Sequence, residues 1–157
     1  MSNEFNANDI FEIAIQIEKN GAAFYRHAAG KVENKAHKDF LLELAAVEDE
    51  HERRFSEMQK TLDQRETFST VFDPNDENVL YLKALADMRV FFEKETPGDD
   101  FKQIIGSAIQ AEKDSIVFYL GMKDFVPENL GKARLDDIIR EEMEHIRILV
   151  GKIKEAE

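Results

Sequence analysis

One twelve-residue string occurs twice in this chain. Residues 14–25 read AIQIEKNGAAFY and residues 108–119 read AIQAEKDSIVFY, so seven of the twelve positions agree at an offset of 94. The same offset carries Glu48-x-x-His51 onto Glu142-x-x-His145, and in each half the motif follows a lone glutamate, Glu18 or Glu112, by 30 residues. A repeat of this length holds one structural unit twice. Each unit has a glutamate on one helix, then a glutamate and a histidine one turn apart on the next.

The helices follow from periodicity and punctuation. Asn8 and Asp9 are candidate caps for a first helix running to about Ala29, with Gly30 at its C-terminal end. A second is expected from near Asn34 to about Leu62. A third starts at the turn Thr96-Pro97-Gly98-Asp99-Asp100 and runs to about Lys123, where Pro127 closes the following turn. A fourth runs from about Gly131 to the end. With three Pro and seven Gly in 157 residues, little interrupts these helices.

Short connections make helices one and two, and three and four, antiparallel neighbours. About 35 residues separate the pairs, too many for a bare loop in a compact domain. The segment has a turn at Asp73-Pro74-Asn75-Asp76 and an apolar run from Val79 to Phe92, read as a short crossover helix. The expected fold is all-α: a ferritin-like four-helix bundle, two antiparallel pairs joined by a long crossover, in one domain over residues 1–157.

The repeated acids lie on core-facing stripes. Positions three, four and seven away share a helical face. Around Glu18 they hold Phe11, Ala14, Ile15, Gly21, Ala22 and Tyr25, and around Glu112 Ile105, Ala108, Ile109, Ser115, Ile116 and Tyr119. Around Glu48 they hold Leu41, Leu44, Ala45, His51, Glu52 and Phe55, and around Glu142 Leu135, Ile138, Ile139, His145, Ile146 and Leu149. Four buried carboxylates cannot all stay ionised without compensation, and no Lys or Arg shares these faces. Two divalent cations would balance them. Four glutamates and two E-x-x-H histidines on four helices is the arrangement known for di-iron and di-manganese carboxylate bundles. The candidate metal ligands are therefore Glu18, Glu48, His51, Glu112, Glu142 and His145. The bland alternative is a metal-free bundle with a polar seam left from duplication. Glu/His ligation suits iron, manganese and zinc alike.

Tyr25 and Tyr119 lie two turns beyond Glu18 and Glu112 on the same faces. They are either core aromatics or hydroxyl donors that hold ligand carboxylates, and they are the candidate catalytic residues. His27 and His37 do not repeat; the first reads as a surface residue and the second as a helix-end residue. Glu50 and Glu144 repeat but point outward, towards Arg53 and Arg147. Glu52 is either a spare ligand or an exposed edge residue.

At these residues the chain resembles the di-iron domain of rubrerythrins, in the ferritin-like superfamily, over essentially its whole length. The resemblance implies two iron ions, with Glu18, Glu48 and His51 serving mainly one and Glu112, Glu142 and His145 the other, and with Glu48 and Glu142 bridging. It implies reduction of hydrogen peroxide, or O₂, and a homodimer. Ser115 stands where rubrerythrins usually carry a further glutamate, so both imidazoles are expected to keep their metals in both redox states. The Cys-rich rubredoxin-like tail is missing from this sequence, so electrons are expected from an external donor protein. The alternatives are a ferroxidase or iron-handling protein of ferritin type, disfavoured by the lack of a fifth helix, and a metal-binding structural or regulatory bundle without turnover.

Composition narrows the rest. A net charge of −12 with no basic stripe argues against nucleic acid and against an anionic membrane surface. Without cysteine there is no disulfide and no thiolate chemistry. No basic segment followed by an apolar run opens the sequence, and no stretch nears the ~18 apolar residues of a membrane span. A cytoplasmic protein is expected.

Overall fold

The computed structural model describes residues 7–62, 80–82, 84–85, 98–124, 126 and 131–155. They form four long helices: α1 (Ala7–Lys31), α2 (Lys35–Lys60), α3 (Phe101–Lys123) and α4 (Lys132–Glu155). Three residues join α1 to α2, which pack along one another as an antiparallel pair. α3 and α4 form the second pair, and α1 meets α3 while α2 meets α4. Leu80–Leu82, Ala84 and Leu85 are helical within the expected crossover run. The expected turns at 73–76 and at Pro127 lie outside the described residues. No helix among the described residues is long and apolar enough to cross a membrane.

Local chemistry sets most of the ends. Asn34 caps α2, its side chain accepting the His37 amide at 3.0 Å, and Asp100 caps α3 by accepting the Lys102 amide at 3.0 Å. α1 agrees with expectation to within two residues at each end. Asn8 and Asp9 sit inside its first turn, where Asp9 faces the positive end of the helix dipole. Gly30 is helical, and α1 continues to Lys31. The apolar stripe explains this: Ala28, Ala29 and Val32 are all buried, and their packing outweighs the ~1 kcal/mol that glycine costs a helix.

Gly131 does require glycine. Its φ is 109°, and an added Cβ would lie 2.8 Å from the Met58 sulfur at the end of α2. Gly131→Ala combines backbone strain with a clash against a fully buried side chain, and should destabilise the fold by about 2–4 kcal/mol. Urea denaturation measures this; a change under about 0.5 kcal/mol, typical of a free surface position, would show that the turn relaxes.

The stripes read from the sequence are buried as expected. Phe11, Ala14, Tyr25, Leu41, Ala45, Phe55, Ile105, Ala108, Tyr119, Leu135, Ile138 and Leu149 are at most 2% exposed. Ile109 and Ile146 are only partly covered. At mid-height this apolar core is interrupted by charge.

Candidate metal centre

Six ionisable side chains meet where the four stripes converge. α1 contributes Glu18, α2 Glu48 and His51, α3 Glu112, and α4 Glu142 and His145. All four glutamates are at most 1% exposed, His51 is fully buried and His145 is 5% exposed. They fall into two groups: Glu18, Glu48, His51 and Glu142, and Glu48, Glu112, Glu142 and His145. Within each group one nitrogen or oxygen per residue lies within 4.8 Å of the others. Glu48 and Glu142 belong to both.

Both imidazoles turn Nδ1 inward. Nδ1 of His51 is 2.9 Å from Glu142 Oε1 and 3.5 Å from Glu18 Oε2. Nδ1 of His145 is 3.1 Å from Glu142 Oε2, 3.4 Å from Glu48 Oε1 and 3.5 Å from Glu112 Oε1. The two rings lie 5.9 Å apart and nearly parallel. Glu142 thus spans the pair, one oxygen towards each ring.

The protonation of these groups reflects how much negative charge the helices bring together. Burial, then the charge of Glu142, pushes Glu48 and Glu112 well above the usual carboxylate range and raises Glu18. Burial also opposes ionisation of Glu142, but the hydrogen bonds from His145 and His51 outweigh it and hold this carboxyl low. Burial works against both imidazolium ions, yet the surrounding carboxylates push His51 up to about 11 and His145 up to about 10. Even so, four buried oxygens have no hydrogen-bond partner: both of Glu48, and Oε2 of Glu18 and of Glu112. A carboxylate with two orphaned oxygens at the centre of a buried acidic cluster fits a metal ion better than any other occupant.

The tyrosines cross over. Tyr25 on α1 donates to Glu112 Oε1 on α3 at 2.6 Å, and Tyr119 on α3 donates to Glu18 Oε1 on α1. Each therefore holds one oxygen of the lone glutamate in the other copy and leaves Oε2 without a hydrogen-bond partner. Burial, then the carboxylate charges, raises both phenols well above their ordinary range, so they remain donors. Tyr25→Phe or Tyr119→Phe should each cost about 1–3 kcal/mol, because a buried carboxylate loses its donor. Urea denaturation of the metal-free variants is the measurement; two unchanged midpoints would reduce these tyrosines to core aromatics.

The remaining candidates lie outside the cluster. Ser115 is buried, and its hydroxyl donates to the Ala111 carbonyl at 3.0 Å, one turn back on its own helix. Glu52 lies 3.9 Å from Lys19 and joins neither group. His37 stacks on Phe101 at the start of α2, and His27 is exposed. Glu50 and Glu144 pair with Arg53 and Arg147. One side chain that touches the cluster, Glu141, was not singled out from the sequence. Its Oε2 lies 2.6 Å from Nε2 of His51, and its Oε1 accepts from Arg54 at 3.0 Å. The repeat gave no sign of it, since Val47 occupies the matching place.

Comparison with known proteins agrees with this geometry. The family model for rubrerythrin matches residues 9–153. A crystal structure from Thermotoga maritima, described as a ferritin-like diiron-carboxylate protein, is similar at a TM-score of 0.72 and 27% identity, covering 97% of each chain. None of the curated proteins matches the chain. The fold is all-helical and ferritin-like, and family and cluster together point to iron.

Proposed function

This chain belongs to the rubrerythrin family, and from that premise we propose that it is a non-haem di-iron oxidoreductase that reduces hydrogen peroxide, or O₂, with electrons from an external donor protein. The observation that supports two ions rather than one is that Glu48 and Glu142 belong to both ligand groups. Glu48 and Glu142 would bridge. Glu18 and His51 would complete one position, and Glu112 and His145 the other. Iron, when bound, supplies the two electrons that split the O–O bond, so that peroxide plus two protons becomes two waters.

The protein's own groups supply geometry and exclusion of water. Glu18 and Glu112 each have one oxygen held by a tyrosine and the other without a hydrogen-bond partner, which limits their rotation before any ion arrives. Tyr25 and Tyr119 retain their protons at Oη and so act as fixed donors to Glu112 and Glu18. Ala14, Leu44, Ala45, Ala108 and Ile138 bury the centre on the helices that carry it. In that dry setting each ligand charge acts on its neighbours more strongly than it would in water.

Single-turnover stopped-flow tests the reading. Iron-loaded, reduced protein should be oxidised faster by hydrogen peroxide than by O₂, and should turn over when a reductant is added. Oxidation by O₂ with uptake of iron well beyond two per chain would instead identify a ferroxidase. Inertness to both oxidants would leave a structural metal site.

A further inference from the structure

The internal repeat fails at one pair of residues beside the cluster, and the failure makes the two metal positions unequal. Glu141 contacts Nε2 of His51 at 2.6 Å, the nitrogen that faces away from the acids, and Arg54 anchors the opposite oxygen of Glu141 at 3.0 Å. The offset of 94 maps Glu141 to Val47 and Arg54 to Ile148. Both members of the pair are thus lost together in the other copy. Among the described residues no carboxylate reaches Nε2 of His145, whose ion-pair contacts are all made through Nδ1.

A carboxylate on the outer nitrogen does two things for a ligating imidazole. It keeps the proton on Nε2, leaving the Nδ1 lone pair directed inward, and it makes that lone pair a better donor. It also fixes the ring plane, so less freedom is lost when an ion binds. Among the described residues only His51 has this support. Resting on the dinuclear reading above, we propose that Glu141 is a positioning residue that acts through His51 and makes the Glu18–Glu48–His51–Glu142 position the first of the two to fill.

Glu141 is 40% exposed at its side chain, so substitution there opens no buried void. The test is a zinc titration of the metal-free protein, with affinities from competition against a chromophoric chelator. Imidazole ¹⁵N NMR reports which ring is ligated at each point. In the wild type, at one equivalent of zinc, Nδ1 of His51 should shift while Nδ1 of His145 does not. Glu141→Ala should weaken the first step by roughly 10–100-fold, leave the second step near its wild-type value, and erase the order of filling. Glu141→Gln keeps an acceptor oxygen for Nε2–H and should recover most of the loss. Filling of His145 first, or an order unaltered in Glu141→Ala, overturns the proposal. Equal weakening of both steps does so too, because it indicates a general structural effect. If the wild type binds no zinc at the cluster, the dinuclear reading itself fails, and that result is distinct from unchanged binding by the variant.

Discussion

Glu48→Ala and Glu142→Ala should each leave the protein nearly free of metal after dialysis, whereas Glu18→Ala and Glu112→Ala should keep roughly half of the wild-type content, on the premise that a bridging ligand serves both ions and a terminal one serves mainly one. Loss of a directly ligating carboxylate exceeds the roughly 10–100-fold that a lost outer partner costs. The two bridging variants should then separate in the absence of metal. Glu142 spans both imidazoles and offsets two buried positive charges. Removing it takes away the nearest carboxylate at both Nδ1 atoms, leaves only the longer contacts to Glu18, Glu48 and Glu112 on that side, and should cost about 3 kcal/mol of metal-free stability. Glu48 has no hydrogen-bond partner on either oxygen, and burial already pushes its carboxyl towards the neutral form. Its removal should cost clearly less. Elemental analysis and urea denaturation read these outcomes, and equal metal loss in all four variants would reject the bridging assignment.

Removal of metal should lower the melting temperature by on the order of 10 °C. At free metal 100 to 1,000 times its Kd, binding to the native state alone stabilises by about 3–4 kcal/mol. In a chain of this size each kcal/mol moves the midpoint by about 2–4 °C. The difference should also grow with pH. Glu48 and Glu112 have folded pKa values raised above the ordinary 4.5, so the folded state binds the extra protons and metal-free stability falls as pH rises above that value. His51 and His145, raised from 6.5 to about 11 and about 10, contribute stability that is full below pH 6.5 and is lost as pH rises through those values. Both effects weaken the metal-free protein in alkali. Bound cations replace these protons, so metal affinity rises over the same window. Melting curves with metal and with chelator should therefore diverge between pH 6.5 and 9. Curves that coincide throughout would exclude a buried metal site.

How far the sequence reaches is clear at particular residues. The six ligand candidates were legible because each lies on a face whose other members are apolar, and because the repeat shows them twice. The pairing of α1 with α2 and of α3 with α4 followed from short connections. The crossing of the tyrosines was not legible. Tyr25 shares a face with Glu18, but its hydroxyl reaches Glu112 on α3, a contact between two helices that no single helix records. Glu141 was hidden for a different reason. It departs from the repeat, and its neighbour Glu142 accounts for the motif without it. α1 closes one residue after Gly30, and the buried Val32 just beyond the helix carries the packing on.

The most direct test is a crystal structure of the iron-loaded protein with anomalous data collected on either side of the iron absorption edge. Two iron peaks should appear inside the bundle, one beside Nδ1 of His51 and the other beside Nδ1 of His145, with Glu48 and Glu142 touching both. A single peak, or iron found only outside the six-residue cluster, would contradict a dinuclear centre.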